Sequence, residues 1–273
     1  MITNSFEFSV LLSVYKNEQA EFLSSALSSI WHDQSLKPDQ IVLVKDGVLT
    51  PELEAVLSSW QTELGEVLTL VPLPHNVGLA VALNSGLQYC KHDLVARMDT
   101  DDIASSERFD LQLTFMQSNP DIAISSGFIE EWNSDMSKKL SCRILPLEHE
   151  AIVKFAKLRS PISHPACIFR KSVISSLGGY TNIYPEDHLL WVRAIQAGFK
   201  LANIPKVLLH MRTGENFVTR RGYKFLKGEL SSYYIMYKSG FLSLSHFFRV
   251  SFLRSLVRLS PNFIKLWLYK SFR

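Results

Sequence analysis

The chain has 273 residues, 47% of them hydrophobic, so it can bury a sizeable core as one large domain or one domain with an appendage; a disordered chain is excluded. Three cysteines, Cys90, Cys142 and Cys167, lie far apart without CxxC spacing, which argues against a disulfide framework or a thiolate zinc site and fits a reducing cytoplasm. The net charge of +3 is uneven, because seven cations and no acid follow Glu229, leaving +3 − 7 = −4 on residues 1–229 and a wholly basic tail.

The amino-terminal residues show no basic stretch followed by an apolar one, and no apolar run reaches the roughly 18–20 residues that span a bilayer, so neither secretion nor an integral membrane protein is expected. In chain order, short apolar and β-branched runs at 8–15, 41–44, 67–73, 94–98 and 122–129 predict strands. Between them, residues 18–31, 51–64, 78–89 and 107–116 place apolar residues three or four apart and predict helices, with Pro51 and Ser106 fitting helix starts. Strand and helix in alternation imply an α/β fold with a largely parallel sheet covered on both faces. The second half is less regular: helix 147–158, strand 166–170, helix 186–197, strand 207–211 and a helix from 217 towards 237 are expected, and no internal repeat or low-complexity segment occurs.

In such a sheet, ligands bind outside the carboxyl ends of the strands. Residues 15–18, 45–47, 74–78 and 99–102 occupy those places and are rich in polar, acidic and glycine residues. Alternation in Arg97-Met98-Asp99-Thr100-Asp101-Asp102 puts Asp99 and Asp101 on one side, where two carboxylates repel unless a cation lies between them or one protonates. Hard oxygen ligands suit Mg²⁺ or Mn²⁺, although a solvated turn with Asp102 or Ser105 as helix cap explains the same residues. An EF-hand does not fit, since Ala104 and Asp110 stand where that loop needs Gly and Glu. Asp46 in Lys45-Asp46-Gly47 is placed to accept from a base or ribose, or simply to make a turn. Glu186-Asp187 opens a helix, either as dipole-favoured acids or as a general base for a hydroxyl. His210, Arg212, Arg220 and Arg221 form a late cationic group able to hold a diphosphate, or an ordinary structural one.

The order of these pieces resembles the family 2 glycosyltransferases of GT-A fold: Ser13-Val14-Tyr15 with Asn17-Glu18, Lys45-Asp46-Gly47, Asn76-Val77-Gly78 with Ala82-Leu83-Asn84-Ser85-Gly86, residues 96–102, and Glu186-Asp187-His188-Leu189-Leu190-Trp191. The resemblance covers residues 6 to about 222 and implies a mostly parallel central sheet flanked by helices, with a C-terminal helical extension. It implies Tyr15, Glu18 and Asp46 at the uracil and ribose, Arg97 and Asp99 near the nucleotide, Asp101 on a Mn²⁺ or Mg²⁺ ion, and Asp187 as catalytic base. His164 and His210 are implied beside the sugar and diphosphate, His210 also as a metal ligand, and Glu186, Arg212, Arg220 and Arg221 as further contacts to diphosphate or acceptor. Among members, the chain looks most like bacterial enzymes that build O-antigen or exopolysaccharide on a lipid diphosphate carrier. The expected reaction is therefore inverting transfer of a hexose from a UDP-sugar, with residues 1–120 as nucleotide half, 121–240 as acceptor half and 241–273 as a basic tail.

Four competing readings weigh less. A sugar nucleotidyltransferase needs a Gly-rich, Arg- or Lys-bearing loop near the start, and a dehydrogenase or P-loop protein needs glycine fingerprints that the sequence lacks. A silent nucleotide-sugar binding protein would keep Asp46 and Asp99 but not Asp187. In the tail, a helix over 247–260 puts Phe248, Phe252, Leu256 and Leu259 on one face and Arg254 and Arg258 on the other. Pro261 ends it, and 263–269 with Lys265, Lys270 and Arg273 follow as a second short helix. That pattern predicts a peripheral contact with the cytoplasmic face of a membrane, against the alternative that the apolar face packs on protein; no nucleic-acid partner is expected.

Overall fold

The computed structural model describes residues 7–213 and 223–260. Its first half alternates as expected: β1 (Phe8–Val14), α1 (Ala20–Trp31), β2 (Gln40–Lys45), α2 (Pro51–Leu64), β3 (Leu68–Pro72), α3 (Leu79–Tyr89) and β4 (Leu94–Arg97). Then come β5 (Ile103–Ala104), α4 (Arg108–Ser118), β6 (Ile122–Trp132), β7 (Lys139–Arg143), α5 (His149–Ala156), β8 (Ile168–Arg170), α6 (Lys171–Ser176), α7 (Glu186–Gln196), β9 (Lys200–Arg212), α8 (Tyr223–Lys238) and α9 (Leu244–Leu259).

One sheet runs β3-β2-β1-β4-β8-β6-β9-β5, with β7 paired to β6. The first four strands are parallel, and β8 enters antiparallel between β4 and β6, so the second half is mixed. Burial on both faces explains why β1 is apolar except at Ser9 and Ser13: Val10, Leu12 and Val14 face a core shared with α1, α2 and α4, while Leu11 faces one shared with α3 and α7. Gly86 lets α3 lie close on the sheet, since a Cβ there would meet Val44 and Leu11 at 2.5 and 2.6 Å. A third cluster, with Ala156, Leu189, Tyr233, Met236 and Val250, joins α5, α7, α8 and α9.

Three short elements escape the sequence pattern. β5, β7 and α6 have two, five and six residues, too short to show a period. Strand β9 is longer than expected, because its pairing with β6 steps across bulges around Gly127 and Phe128 that accommodate Pro205. The expected start of α8 at 217 lies outside the described residues, as do Pro261 and the second tail helix over 263–269.

Candidate active site

Parallel β1, β2 and β4 deliver Tyr15, Asp46 and Asp99 to the same edge of the sheet. Gly47 has φ +88°, and a Cβ on it would lie 2.7 Å from the Asn76 nitrogen, so glycine is required for the 76–78 loop to approach. Asp46 then fastens that loop: its carboxylate accepts from Val77 N at 2.7 Å, Asn76 Nδ2 at 2.9 Å and Gly78 N at 3.1 Å. Asn84 of α3 makes a reciprocal pair with the Tyr180 backbone, both bonds 2.8 Å, and so ties α3 to the segment before α7.

After β4 the chain leaves the strand, and Asp99, Asp101 and Asp102 come together on the turn into β5, with a ligand oxygen from each within 4.8 Å of the others. The turn, not strand alternation, groups them, which is why Asp102 joins the pair expected from the sequence. Burial, with Asp99 and Glu18 close by, pushes Asp101 up to about 7. Asp102 is driven well above the usual range by burial, Asp101 and Asp99, and its Oδ2 is buried without a hydrogen-bond partner. A crowded carboxylate trio in which Asp101 and Asp102 resist ionisation suits a divalent cation, which would restore the charge of those two and take up the orphaned oxygen. Glu18 accepts from Thr100 Oγ1 at 2.8 Å, so the loop after β1 also reaches this turn.

Arg97 lies beneath the acids, buried and paired with Asp99. Burial works against its charge, but Asp99 more than compensates and holds the guanidinium protonated, with Nε and Nη1 unpartnered. Arg108, at the start of α4, braces this stretch from below: Nη2 donates to the Arg97 carbonyl at 2.6 Å and Nε to Gln112 at 3.0 Å. Arg212 is engaged with the acid turn itself, through its backbone N to Asp102 at 2.9 Å and its Nε to the Asp101 carbonyl at 3.0 Å, while its guanidinium covers the Phe22 ring. It clamps the turn from the β9 side. His210 does not join the acid cluster; its Nδ1 lies 3.2 Å from Glu130. Arg220 and Arg221 lie outside the described residues.

Across the site, α7 begins with Glu186 and Asp187. Asp187 Oδ2 accepts from Ser160 Oγ at 2.7 Å, a contact with no sequence signature because 27 residues separate the partners. Burial, with Asp187 beside it, pushes Glu186 up to about 7, and Arg97 and Asp99 also act on it, which places α7 and the acid turn in one electrostatic neighbourhood. His164 Nδ1 stands 3.8 Å from Glu186, and its Nε2 meets the Tyr180 hydroxyl at 3.1 Å. Burial and the Arg97 charge hold His164 well below its ordinary range, so it faces Glu186 as a neutral ring and the two make no standing ion pair. The arrangement therefore offers a cation site on one side and a solvent-reaching carboxylate held by a hydroxyl on the other.

Comparison with known proteins agrees with this geometry. Residues 9–178 match the family described as Glycosyl transferase family 2. The chain is 38% identical to the amylovoran biosynthesis glycosyltransferase AmsE of Erwinia amylovora, over 97% of this chain and 99% of that protein. It is 37% identical, over 97% and 95%, to the UDP-Gal:alpha-D-GlcNAc-diphosphoundecaprenol beta-1,3-galactosyltransferase of Escherichia coli. Among solved structures, the mannosyltransferase PcManGT of Pyrobaculum calidifontis, in complex with GDP-Man and Mn²⁺, superposes with a TM-score of 0.65 at 14% identity, over 97% of this chain and 79% of that one. The chain belongs to glycosyl transferase family 2: it is a glycosyltransferase of GT-A fold, with relatives in bacterial polysaccharide biosynthesis.

Proposed function

We propose that this enzyme transfers a hexose from a UDP-sugar, with inversion, onto a lipid-diphosphate-linked saccharide during synthesis of a bacterial surface polysaccharide. The observation that carries the reading is the pairing of the Asp99-Asp101-Asp102 cluster with Asp187 across one site. The nature of the substrates is supported by the Escherichia coli relative, whose name specifies UDP-Gal and a GlcNAc-diphosphoundecaprenol acceptor.

Asp101 and Asp102, with Asp99, would hold Mn²⁺ or Mg²⁺, which when bound neutralises the charge developing on the departing diphosphate. Arg97 keeps Asp99 oriented from beneath and adds a buried positive charge at the nucleotide. Tyr15, Glu18 and Asp46 line the base and ribose end, Asp46 by holding the 76–78 loop in place. His164, Glu186 and His210 border the sugar and diphosphate. Asp187 takes the proton of the acceptor hydroxyl as its oxygen attacks the anomeric carbon from the face opposite the diphosphate. The new C–O bond forms, the bond to the diphosphate breaks and UDP leaves, inverting the anomeric centre in one step. A lipid-carried acceptor brings the enzyme to the inner face of the cell membrane, with residues 241–273 as the contact; among the described residues no helix is long and apolar enough to cross a membrane.

A panel of UDP-sugars tests the donor and metal together, since slow hydrolysis reports a bound donor without any acceptor. One UDP-hexose is expected to be hydrolysed with Mn²⁺ or Mg²⁺ and not with EDTA; full turnover in EDTA, or no hydrolysis of any UDP-sugar, refutes the reading.

A further inference from the structure

Helix α9 presents an apolar row to solvent and Arg254 and Arg258 to the protein. Phe248, Phe252, Leu256 and Leu259 lie 63%, 65%, 54% and 65% exposed along one face. The opposite side carries Val250 into the core cluster of α5, α7 and α8. On that side Arg258 forms a forked pair with Glu229, with bonds of 2.8 and 3.0 Å, both residues buried. Arg254 donates to the Leu158 carbonyl at 2.6 Å and from Nε to the Tyr233 hydroxyl at 3.2 Å.

We propose that the Phe248-Phe252-Leu256-Leu259 face of α9 inserts into the anionic surface of a lipid bilayer, and that Arg254 and Arg258 are rivets that hold this face on the catalytic body instead of contacting lipid phosphates. The inference rests on the lipid-linked acceptor proposed above and names the surface that meets its bilayer. Charge selects a bilayer over a protein partner: no acid follows Glu229, Arg249 stands exposed beside the apolar row, and the sequence beyond α9 adds Lys265, Lys270 and Arg273 among Phe263, Trp267, Tyr269 and Phe272. Long aromatic and cationic side chains in alternation match the boundary between acyl chains and headgroups. The fixing point also makes sense for such a substrate. Leu158, gripped by both Arg254 and Tyr233, lies two residues before Ser160, whose hydroxyl holds Asp187. One short strap thus supports both the interfacial helix and the base, keeping the base at a set position relative to the surface on which the acceptor is carried.

The full-length protein is sedimented with phosphatidylglycerol-containing vesicles, beside Phe248→Ser/Phe252→Ser and Arg254→Gln variants. The parent is expected in the pellet, and the double variant is expected to partition at least roughly tenfold less for each aromatic lost, with UDP-sugar hydrolysis unchanged. Arg254→Gln is expected to bind vesicles within about twofold of the parent, because its guanidinium is spent on Leu158. A parent that stays in the supernatant, or a double variant that pellets as well as the parent, overturns the proposal. So does a concentration-dependent dimer that the double variant abolishes, since the occupant would then be a second copy. A loss in Arg254→Gln as large as in the double variant overturns the rivet assignment. Sedimentation needs no turnover, so failure of the donor reading and failure of this one are separately visible.

Discussion

Glu186 and Asp187 share the first turn of α7, and the substitution Glu186→Gln separates what each does. Burial, reinforced by Asp187, raises Glu186 from 4.5 to about 7 in the folded protein, whereas the unfolded chain ionises it near 4.5. A raised carboxyl contributes its stability in full below the unfolded value, and that contribution is lost as pH climbs to the folded one. The rise corresponds to about 3 kcal/mol at about 1.4 kcal/mol per pH unit. Gln keeps the shape of the protonated acid and cannot ionise. Relative to the parent, the variant is therefore expected to gain about 3 kcal/mol between pH 4.5 and 7, and no more above that. Urea unfolding at half-unit steps from pH 4.5 to 8, in EDTA, measures the difference. A constant difference, or one that grows towards acid, refutes the argument that a buried, repelled carboxyl sits at this position. In transfer assays Glu186→Gln should keep most activity, while Asp187→Asn binds the UDP-sugar but loses about 10²-fold or more. The opposite outcome would exchange their roles.

Asp101→Ala should abolish transfer while circular dichroism stays that of the parent, and residual activity in the variant should not respond to EDTA; a fully active variant sinks the metal assignment. Asp46→Ala removes an acceptor for three hydrogen bonds into the 76–78 loop, so a loss of about 2–4 kcal/mol in urea unfolding is expected together with weaker UDP binding, and an unchanged midpoint would show that the loop holds itself. Ser160→Ala should lower kcat about 3- to 10-fold with the donor KM unmoved, as expected for a hydroxyl that orients Asp187; a rise in KM alone contradicts that role. Arg258→Ala strands Glu229 inside the protein and should cost about 3–5 kcal/mol, most of it recovered in Glu229→Gln/Arg258→Met. Equal stability of the single and double variants would show that the charge is not stranded.

The first half of the chain is legible in the sequence because each of its signals is local. Apolar strands buried on both faces read as continuous runs, and residues at strand ends follow from the parallel order without any knowledge of packing. The acid turn was found for a partly mistaken reason: alternation pointed to Asp99 and Asp101, while the turn that gathers them also recruits Asp102, which the sequence offered as a cap. Contacts made across the fold left no trace. Ser160 reaches Asp187 over 27 residues, Arg212 reaches Asp102 over 110, and Asn84 reaches Tyr180 over 96. Arg108 looks like any basic residue at a helix start, and its burial against the Arg97 carbonyl is decided by where α4 lands on the sheet.

The tail shows how helical spacing can separate two faces without naming what each one meets. Helical spacing separated an apolar face from Arg254 and Arg258, and the structure keeps that separation. Amphipathic reasoning assigns the apolar side to a core and the charged side to water or lipid phosphate. Here Glu229 on α8 reverses the assignment, since a buried carboxylate requires a partner and Arg258 supplies a forked one. Once that pair and the Leu158 carbonyl take up Arg258 and Arg254, α9 docks through them together with Val250 and Phe247, and Phe248, Phe252, Leu256 and Leu259 are left facing outward. The decisive residue lies on another helix, 29 positions away, so no helical wheel of the tail could have revealed it. A search for interfacial helices in related chains should therefore ask first for an acid on the preceding helix in register with the tail arginines.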